Sequence, residues 1–195
     1  MMVKQALKLY ANTFLAGAMG LFVYLSVGAI FSMAVQGGEV MSATVALWMN
    51  IVALVLQATL FFMIVYSKMW ELGDKSANAV NFGRMADDPW RGLKISLVAA
   101  IPSVISFLAL IADKLFAFWG GMATAYRICH LGLYPVIVWS LGSVVTVTTA
   151  DISWVGILCA GLPILFMPAV ATLAYYLGYR HIVLWEKIVF SGKQK

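Results

Sequence analysis

Charged residues are scarce in this chain. They make up 11% of its 195 residues, whereas hydrophobic residues reach 63%. An ordinary soluble domain has about 25% charged and about 45–50% apolar residues, so this chain has too few charges to cover a water-exposed surface. A water-soluble fold is therefore excluded, and the lipid bilayer must supply much of the apolar environment.

Residues that carry chemistry are also scarce. The chain has two histidines and two cysteines, without the HExxH or CxxC spacing of metal sites and without a glycine-rich loop that would cradle phosphate. Cys129 and His130 are neighbours in the sequence, and on a helix their side chains would diverge by about 100°. We therefore predict no catalytic residues, no metal site and no cofactor.

The charges that are present concentrate in one stretch. Residues 67–94 hold nine of the 21 charged residues, and long apolar sequence lies on either side. A spanning helix needs about 20 apolar residues, so we predict a single all-α integral membrane domain over residues 1–195. Its four transmembrane helices are expected at about 11–35, 43–66, 93–112 and 154–176. The first half of the polar stretch lacks proline and can extend the second helix beyond the membrane.

Residues 116–150 could form two crossings or none. Gly121, Thr124, Arg127 and His130 recur every third position, which is typical of a helix lying in the interface plane. Two crossings would bury Arg127 at a cost of about 2.5–3.5 kcal/mol if it reached the middle of a helix. We predict an interfacial or re-entrant hairpin on the outward side, with six transmembrane helices as the alternative.

The basic residues indicate the orientation. With both termini cytoplasmic, 11 of the 13 lysines and arginines lie on the cytoplasmic side, as the positive-inside rule requires. The loop 67–92 and a basic amphipathic tail, 180–195, then face the cytoplasm. The net charge of +5 fits anionic lipid headgroups, so no nucleic-acid partner is expected. The expected location is a bacterial cytoplasmic membrane.

Several polar residues and prolines within the apolar sequence could line a path for a solute. Asn50 and Gln57 are seven residues apart and share one face of the second helix, where amides either form interhelical hydrogen bonds or contact a substrate. Two prolines should bend or locally unwind the last helix. The predicted substrate-path residues are Asn50, Gln57, Arg127, His130, Pro163 and Pro168.

A stripe of small residues follows one face of the first helix. Small residues at multiples of four allow another helix to approach closely, and packing within the chain is favoured over a dimer face. The predicted packing residues are Ala16, Gly20, Gly28 and Ser32.

These features together favour a non-enzymatic subunit of a membrane transport or assembly complex, which binds a solute or docks a protein partner or a second copy. The alternative is an enzyme that acts on a lipid headgroup through Asp87 and Asp88, although these acids are also expected to cap the third helix. The predicted cytoplasmic docking residues are Glu71, Asp74, Lys75, Arg84, Asp87, Asp88 and Arg91.

Overall fold

The computed structural model of the chain describes residues 2–34, 42–142 and 148–182, and its regular structure over these ranges is helical. Two 3-10 turns, Leu131–Leu133 and Thr149–Asp151, connect the shorter helices. The helices are α1 (Met2–Ala34), α2 (Ala43–Asn81), α3 (Arg91–Phe116), α4 (Met122–Cys129), α5 (Tyr134–Leu141), α6 (Trp154–Ala160) and α7 (Leu162–Tyr179).

Four helical stretches are long and apolar enough to cross a membrane, which confirms the predicted all-α membrane protein with four such helices. They are Met2–Met33, Ala43–Asn81, Arg91–Phe116 and Trp154–Tyr179. The described ranges contain no further stretch of this kind.

The second helix is much longer than its apolar part. Ser42 caps its start by accepting a hydrogen bond from Val45 N, and the helix then continues through the polar residues to Asn81. At about 1.5 Å per residue, its 39 residues extend for about 58 Å. It ends where Gly83 adopts a φ of 66° and Arg84 N donates to Ala79 O, a left-handed glycine termination. Residues 67–81 are therefore a helical extension of α2, as the absence of proline in the first half of the polar stretch allowed.

The last span is divided into α6 and α7 at Gly161. Pro163 lies in the first turn of α7 and Pro168 lies within it, in agreement with the local unwinding expected from two prolines. The break leaves the carbonyl of Ala160 without its usual helical partner, and the buried hydroxyl of Tyr126 donates to it at 2.6 Å. A side chain from α4 thus satisfies a backbone group that lipid could not.

Two apolar clusters form the core. The first joins α1, α2, α3 and α7 around Val65, Ile95 and Tyr175. The second joins the end of α3 to α4, α5 and α6 around Leu110, Tyr126 and Ile157. The segment between α3 and α6 is therefore packed into the protein and has a core of its own.

The stripe of small residues on α1 packs mostly within the chain. Ala16 is buried, a Cβ at Gly20 would come within 2.6 Å of Gln57 Cγ, and Gly28 faces Met49 at 3.8 Å. Ser32 is exposed and bonds back to Ala29 O.

The tightest helix crossing joins α2 to α7 through two glycines. A Cβ at Gly73 would overlap the carbonyl oxygen of Tyr175 and lie within 2.8 Å of Tyr179 N. A Cβ at Gly178 would overlap the carbonyl oxygen of Trp70 and lie within 2.8 Å of its carbon. Because the obstructing atoms are backbone, no side-chain rotation can relieve such a clash.

Replacing Gly178 by alanine should therefore destabilise the protein although alanine is the better helix former. Overpacking costs about 1–3 kcal/mol, whereas the gain in helix propensity is about 0.8–1.0 kcal/mol. The thermal midpoint in mild detergent measures the difference. Gly28→Ala is the matched control, because its new methyl group would meet only Met49 at ordinary van der Waals distance. Equal midpoints for the two variants would contradict the close crossing.

Candidate functional site

The segment after α3 is held by a buried carboxylate. Asp113 is fully buried and accepts hydrogen bonds from Trp119 N at 2.9 Å and Gly120 N at 3.0 Å. It also accepts a longer one from Met122 N at 3.4 Å, at the start of α4. The chain reverses here through Ala117, whose φ is 48°. Asp113 therefore organises the turn and the first turn of α4.

The polar residues of α4 face the protein interior. Arg127 is 4% exposed and donates to Leu141 O at 2.7 Å and Gly142 O at 2.9 Å. His130 is also buried. These side chains therefore do not form the water-exposed polar face that is typical of a helix lying in the interface plane. Arg127 instead stabilises the end of α5 by satisfying two backbone carbonyls.

A small cavity lies between the linker after α4 and the helices α1, α2, α3 and α7. Its volume is about 50 Å³. One wall is apolar, with Phe61 and Met167, and the polar side chains that line the cavity are Tyr10, Thr13, Ser103, Cys129 and His130.

Cys129 and His130 both line this cavity. The helix α4 ends at Cys129, and His130 has the non-helical angles φ −117° and ψ 49°. Cys129 is exposed whereas His130 is buried, so the two side chains lie in different environments. No sequence signal marks this helix end, since neither Gly nor Pro follows directly.

One ring nitrogen of His130 has a hydrogen-bond partner among the described residues, and the other has none. Its Nδ1 lies 3.2 Å from Tyr126 O, and a carbonyl can only accept, so Nδ1 carries the proton in this contact. Among the described residues, Nε2 has no hydrogen-bond partner.

The six predicted substrate-path residues do not form one path. His130 and Pro163 line the cavity, and Gln57 donates at 2.7 Å to the carbonyl of Leu131, another lining residue. Asn50 bonds within its own helix to Ala46 O at 2.8 Å. Arg127 belongs to the α5 end, and Pro168 lines a separate groove beside α3.

The size of the cavity limits what it can hold. A water molecule occupies about 30 Å³ in the liquid, and sites for organic ligands are about 300–1,000 Å³. A cavity of about 50 Å³ therefore accommodates about one or two waters and is too small for an organic solute. In the described ranges, no three His, Cys, Asp or Glu side chains converge in a way that would hold a metal ion.

A second polar region lies at the end of the bundle where α2 emerges. Hydrogen bonds join its elements there: Arg91 Nη2 donates to Gln5 at 3.2 Å, and Trp70 Nε1 donates to Ile182 O at 2.8 Å. The start of α1, the end of α2, the start of α3 and the end of α7 therefore meet at this end, which we call the basic end.

Four of the seven predicted docking residues are engaged within the chain. Asp74 lies 2.8 Å from His181 and Asp88 lies 2.8 Å from Lys94. Asp87 accepts from the hydroxyl of Tyr179, and Arg91 bonds to Gln5. Neither Asp87 nor Asp88 caps α3, because the N-cap residue is Trp90, which forms no side-chain capping bond. These contacts fasten the loop to α3 and α7.

The other three remain exposed on the outer face of α2 and at its tip. Glu71 and Lys75 pair with each other one helical turn apart. Arg84 stacks over the ring of Phe82 at 5.8 Å, and Phe82 is itself 75% exposed. Phe82 is not among the predicted docking residues, and the signal that could have indicated it is an aromatic residue directly before a glycine in a charged stretch.

Comparison with protein families, with characterised proteins and with solved structures finds no match to this chain.

The two amides of α2 should differ in their contribution to stability. Gln57→Leu removes the hydrogen bond between α2 and the Leu131 carbonyl, which should cost about 0.6–1.7 kcal/mol. Asn50→Leu is the matched control, because Asn50 bonds only within its own helix. Thermal midpoints in detergent measure both, and an Asn50→Leu variant that loses as much stability as Gln57→Leu would contradict this distinction.

Proposed function

We propose that this chain is a non-enzymatic membrane subunit that docks a cytoplasmic protein partner on the extension of α2. The docking face consists of the exposed residues Lys68, Glu71, Lys75, Asn78, Phe82 and Arg84. The observation that carries the proposal is a helix held rigidly on one side by α7, whose other side is polar and ends in an exposed aromatic residue.

The rigidity of the extension comes from its inner face. Met69, Gly73, Ser76 and Ala77 are buried, at the spacing of one helical face. This face packs against α7 at the Gly73 crossing. A partner would therefore meet a preformed surface and would pay little conformational entropy to order it.

The position of Phe82 favours a protein partner over lipid. Trp90 stacks with Tyr176 at 6.5 Å, close to the level of Gly73, and such aromatic pairs are typical of the membrane interface. From Gly73, α2 rises for about 12 Å to Asn81, whereas the headgroup layer is about 5–8 Å thick on each side. Phe82 would then stand in water beside Arg84, and aromatic residues and arginine are frequent binding hot spots.

We infer further that the basic end faces the cytoplasm of a bacterial cell. Among the described residues it carries eight lysines and arginines, while Lys114 lies at the other end and Arg127 is buried. The positive-inside rule supports this orientation. With it, the amphipathic tail lies on the same side; residues 183–195 of that tail are outside the described ranges.

The segment between α3 and α6 would then be a re-entrant hairpin from the outward side. The eight residues of α5 are about 12 Å long, too short to cross a core of about 30 Å. The carbonyl of Leu131 nevertheless accepts a hydrogen bond from Gln57, and a Cβ added at Gly17 would lie 2.9 Å from Gly132 N. Both partners lie well inside α1 and α2, which supports a dip into the bundle. The hairpin's residues 143–147 lie outside the described ranges.

The other functions considered receive less support. A solute site would need a larger cavity than the one beside His130. A lipid-headgroup enzyme would need Asp87 and Asp88 available to a substrate, but they contact Tyr179 and Lys94. Docking on the exposed face of α2 requires neither.

The orientation can be tested by cysteine accessibility. In a background with Cys129→Ala and Cys159→Ala, a membrane-impermeant maleimide should label Phe82→Cys in inverted vesicles but not in intact cells. Phe118→Cys, beyond α3, should show the reverse, since both residues are exposed and should lie on opposite sides. Labelling of both from the same side would contradict the proposed topology.

Docking can be tested by photo-crosslinking in cells. A benzoylphenylalanine at Asn78 should yield one discrete adduct with another protein, whereas the same group at Leu97, on the outer face of α3, should not. Phe82→Ala combined with Arg84→Ala should reduce the adduct at least tenfold, because hot-spot residues contribute about 2 kcal/mol or more.

Two observations together would contradict the docking role. A chain that purifies alone and monodisperse in mild detergent, and that yields no adduct from Asn78 in cells, would rule out the docking role. Thermal midpoints of the Phe82 and Arg84 variants should stay unchanged, which separates loss of docking from loss of folding.

A further inference from the structure

A groove runs along the outside of the bundle between the start of α3 and α7. Its volume is about 520 Å³, about ten times that of the inner cavity. The lining residues are Trp90, Leu93, Pro168, Ala169, Thr172, Leu173 and Tyr176. The polar groups of Trp90 and Tyr176 belong to one end of the groove. Along the rest, the polar side chain is that of Thr172, whose hydroxyl lies 3.4 Å from that of Ser96, so hydrocarbon is the occupant that fits these walls.

The end of the groove beside Trp90 and Tyr176 has a different chemistry. The rings of Trp90 and Tyr176 stack across it at 6.5 Å. The exposed guanidinium of Arg180 lies 5.6 Å from the Tyr176 ring centroid, and Lys94 follows the lining residue Leu93 in the sequence. Asp88 pairs with Lys94 at 2.8 Å, whereas none of the salt bridges among the described residues includes Arg180, so its guanidinium can attract an anion.

The beginning of α3 adds to this positive end. Its N-cap, Trp90, lines the groove and provides no side-chain capping bond, although Arg91 N donates to Asp88 O at 3.2 Å. The first turn of a helix presents unpaired N–H groups and the positive end of the helix dipole, which favour an anion. An apolar groove, an exposed guanidinium and an uncapped helix start therefore meet at the level of the interfacial aromatic rings.

We propose that this groove binds one anionic phospholipid, with an acyl chain along α7 and the phosphate between Arg180 and the start of α3. Basic sites between membrane helices on the cytoplasmic side bind anionic headgroups in this way. Pro168 and Ala169 contribute by being compact, which leaves room for the chain. This site is separate from the docking face of α2 and does not depend on docking, whereas its position on the cytoplasmic side rests on the proposed orientation.

A bound lipid of this kind differs from the lipid that surrounds any membrane protein. Surrounding lipid exchanges with the bulk and is retained in proportion to its abundance. A lipid held in the groove should remain at one molecule per chain and should be selected by headgroup charge. The stoichiometry and the selectivity are therefore the quantities to measure.

The experiment is native mass spectrometry of the full chain in mild detergent with equimolar phosphatidylglycerol and phosphatidylcholine. We expect one retained phosphatidylglycerol per chain, in clear preference to phosphatidylcholine. Arg180→Gln should reduce this preference about fivefold, the effect of one basic residue near a membrane surface, and Arg180→Lys should preserve it. Arg84→Gln, which removes an exposed cation from the tip of α2, should leave the preference unchanged.

A second pair of variants tests the groove itself. Ala169→Trp places an indole in the groove and should abolish retention of the lipid. Ala18→Trp makes the same change on the exposed face of α1, outside the groove, and should have no effect. Equal retention of the two lipids, retention that survives Ala169→Trp, or a lipid-free dimer that covers the groove would each overturn the proposal.

Discussion

The close crossing of α2 and α7 is the contact on which the rest of the structure depends. Helices in a bilayer gain little from the hydrophobic effect, because lipid is as apolar as their side chains. Close backbone approach through small residues is what holds them together, and Gly73 and Gly178 provide it. The crossing lies where α2 leaves the apolar region, so it also supports the polar extension beyond.

Several contacts cluster around this crossing and join the loop and the end of α7 to α2. Trp70 donates to the backbone of Ile182, and Asp74 lies beside His181. Tyr179, close to Gly178, donates to Asp87 of the loop. The polar stretch 67–94 therefore forms a compact surface with one exposed helical face. The proposed docking role follows from this surface, since a flexible loop would have to be ordered at each binding event.

The segment between α3 and α6 obeys a second constraint, that buried backbone groups need partners. Asp113 accepts from the reversal after α3, Arg127 donates to the end of α5, and Tyr126 donates to the break before α7. The polar side chains of this segment form hydrogen bonds with backbone groups that have no helical partner. A functional face and a structural face both require polar groups on one side of a helix. The spacing of these residues in the sequence therefore could not distinguish the two roles.

Much of the fold could be predicted from the sequence, and the reasons are local. The lengths of the apolar runs predicted four crossing helices, and Pro163 and Pro168 predicted an interrupted last helix. The partners of polar residues could not be predicted in this way. Asn50 and Gln57 share a face of α2, yet only Gln57 meets another element. The difference depends on where the 3-10 turn at Leu131–Leu133 comes to lie, which no local pattern specifies.

What the sequence by itself determined is the class of protein and the number of helices that can cross a bilayer, because hydrocarbon admits only long apolar helices whose backbone groups are paired internally. Only the tertiary structure decided which polar residues remain exposed. Of the charged residues predicted to dock a partner, Asp74, Asp87, Asp88 and Arg91 turn toward neighbouring elements, while Glu71, Lys75 and Arg84 do not. Whether a charge is exposed or paired depends on what packs beside it, and that is a property of the assembled helices.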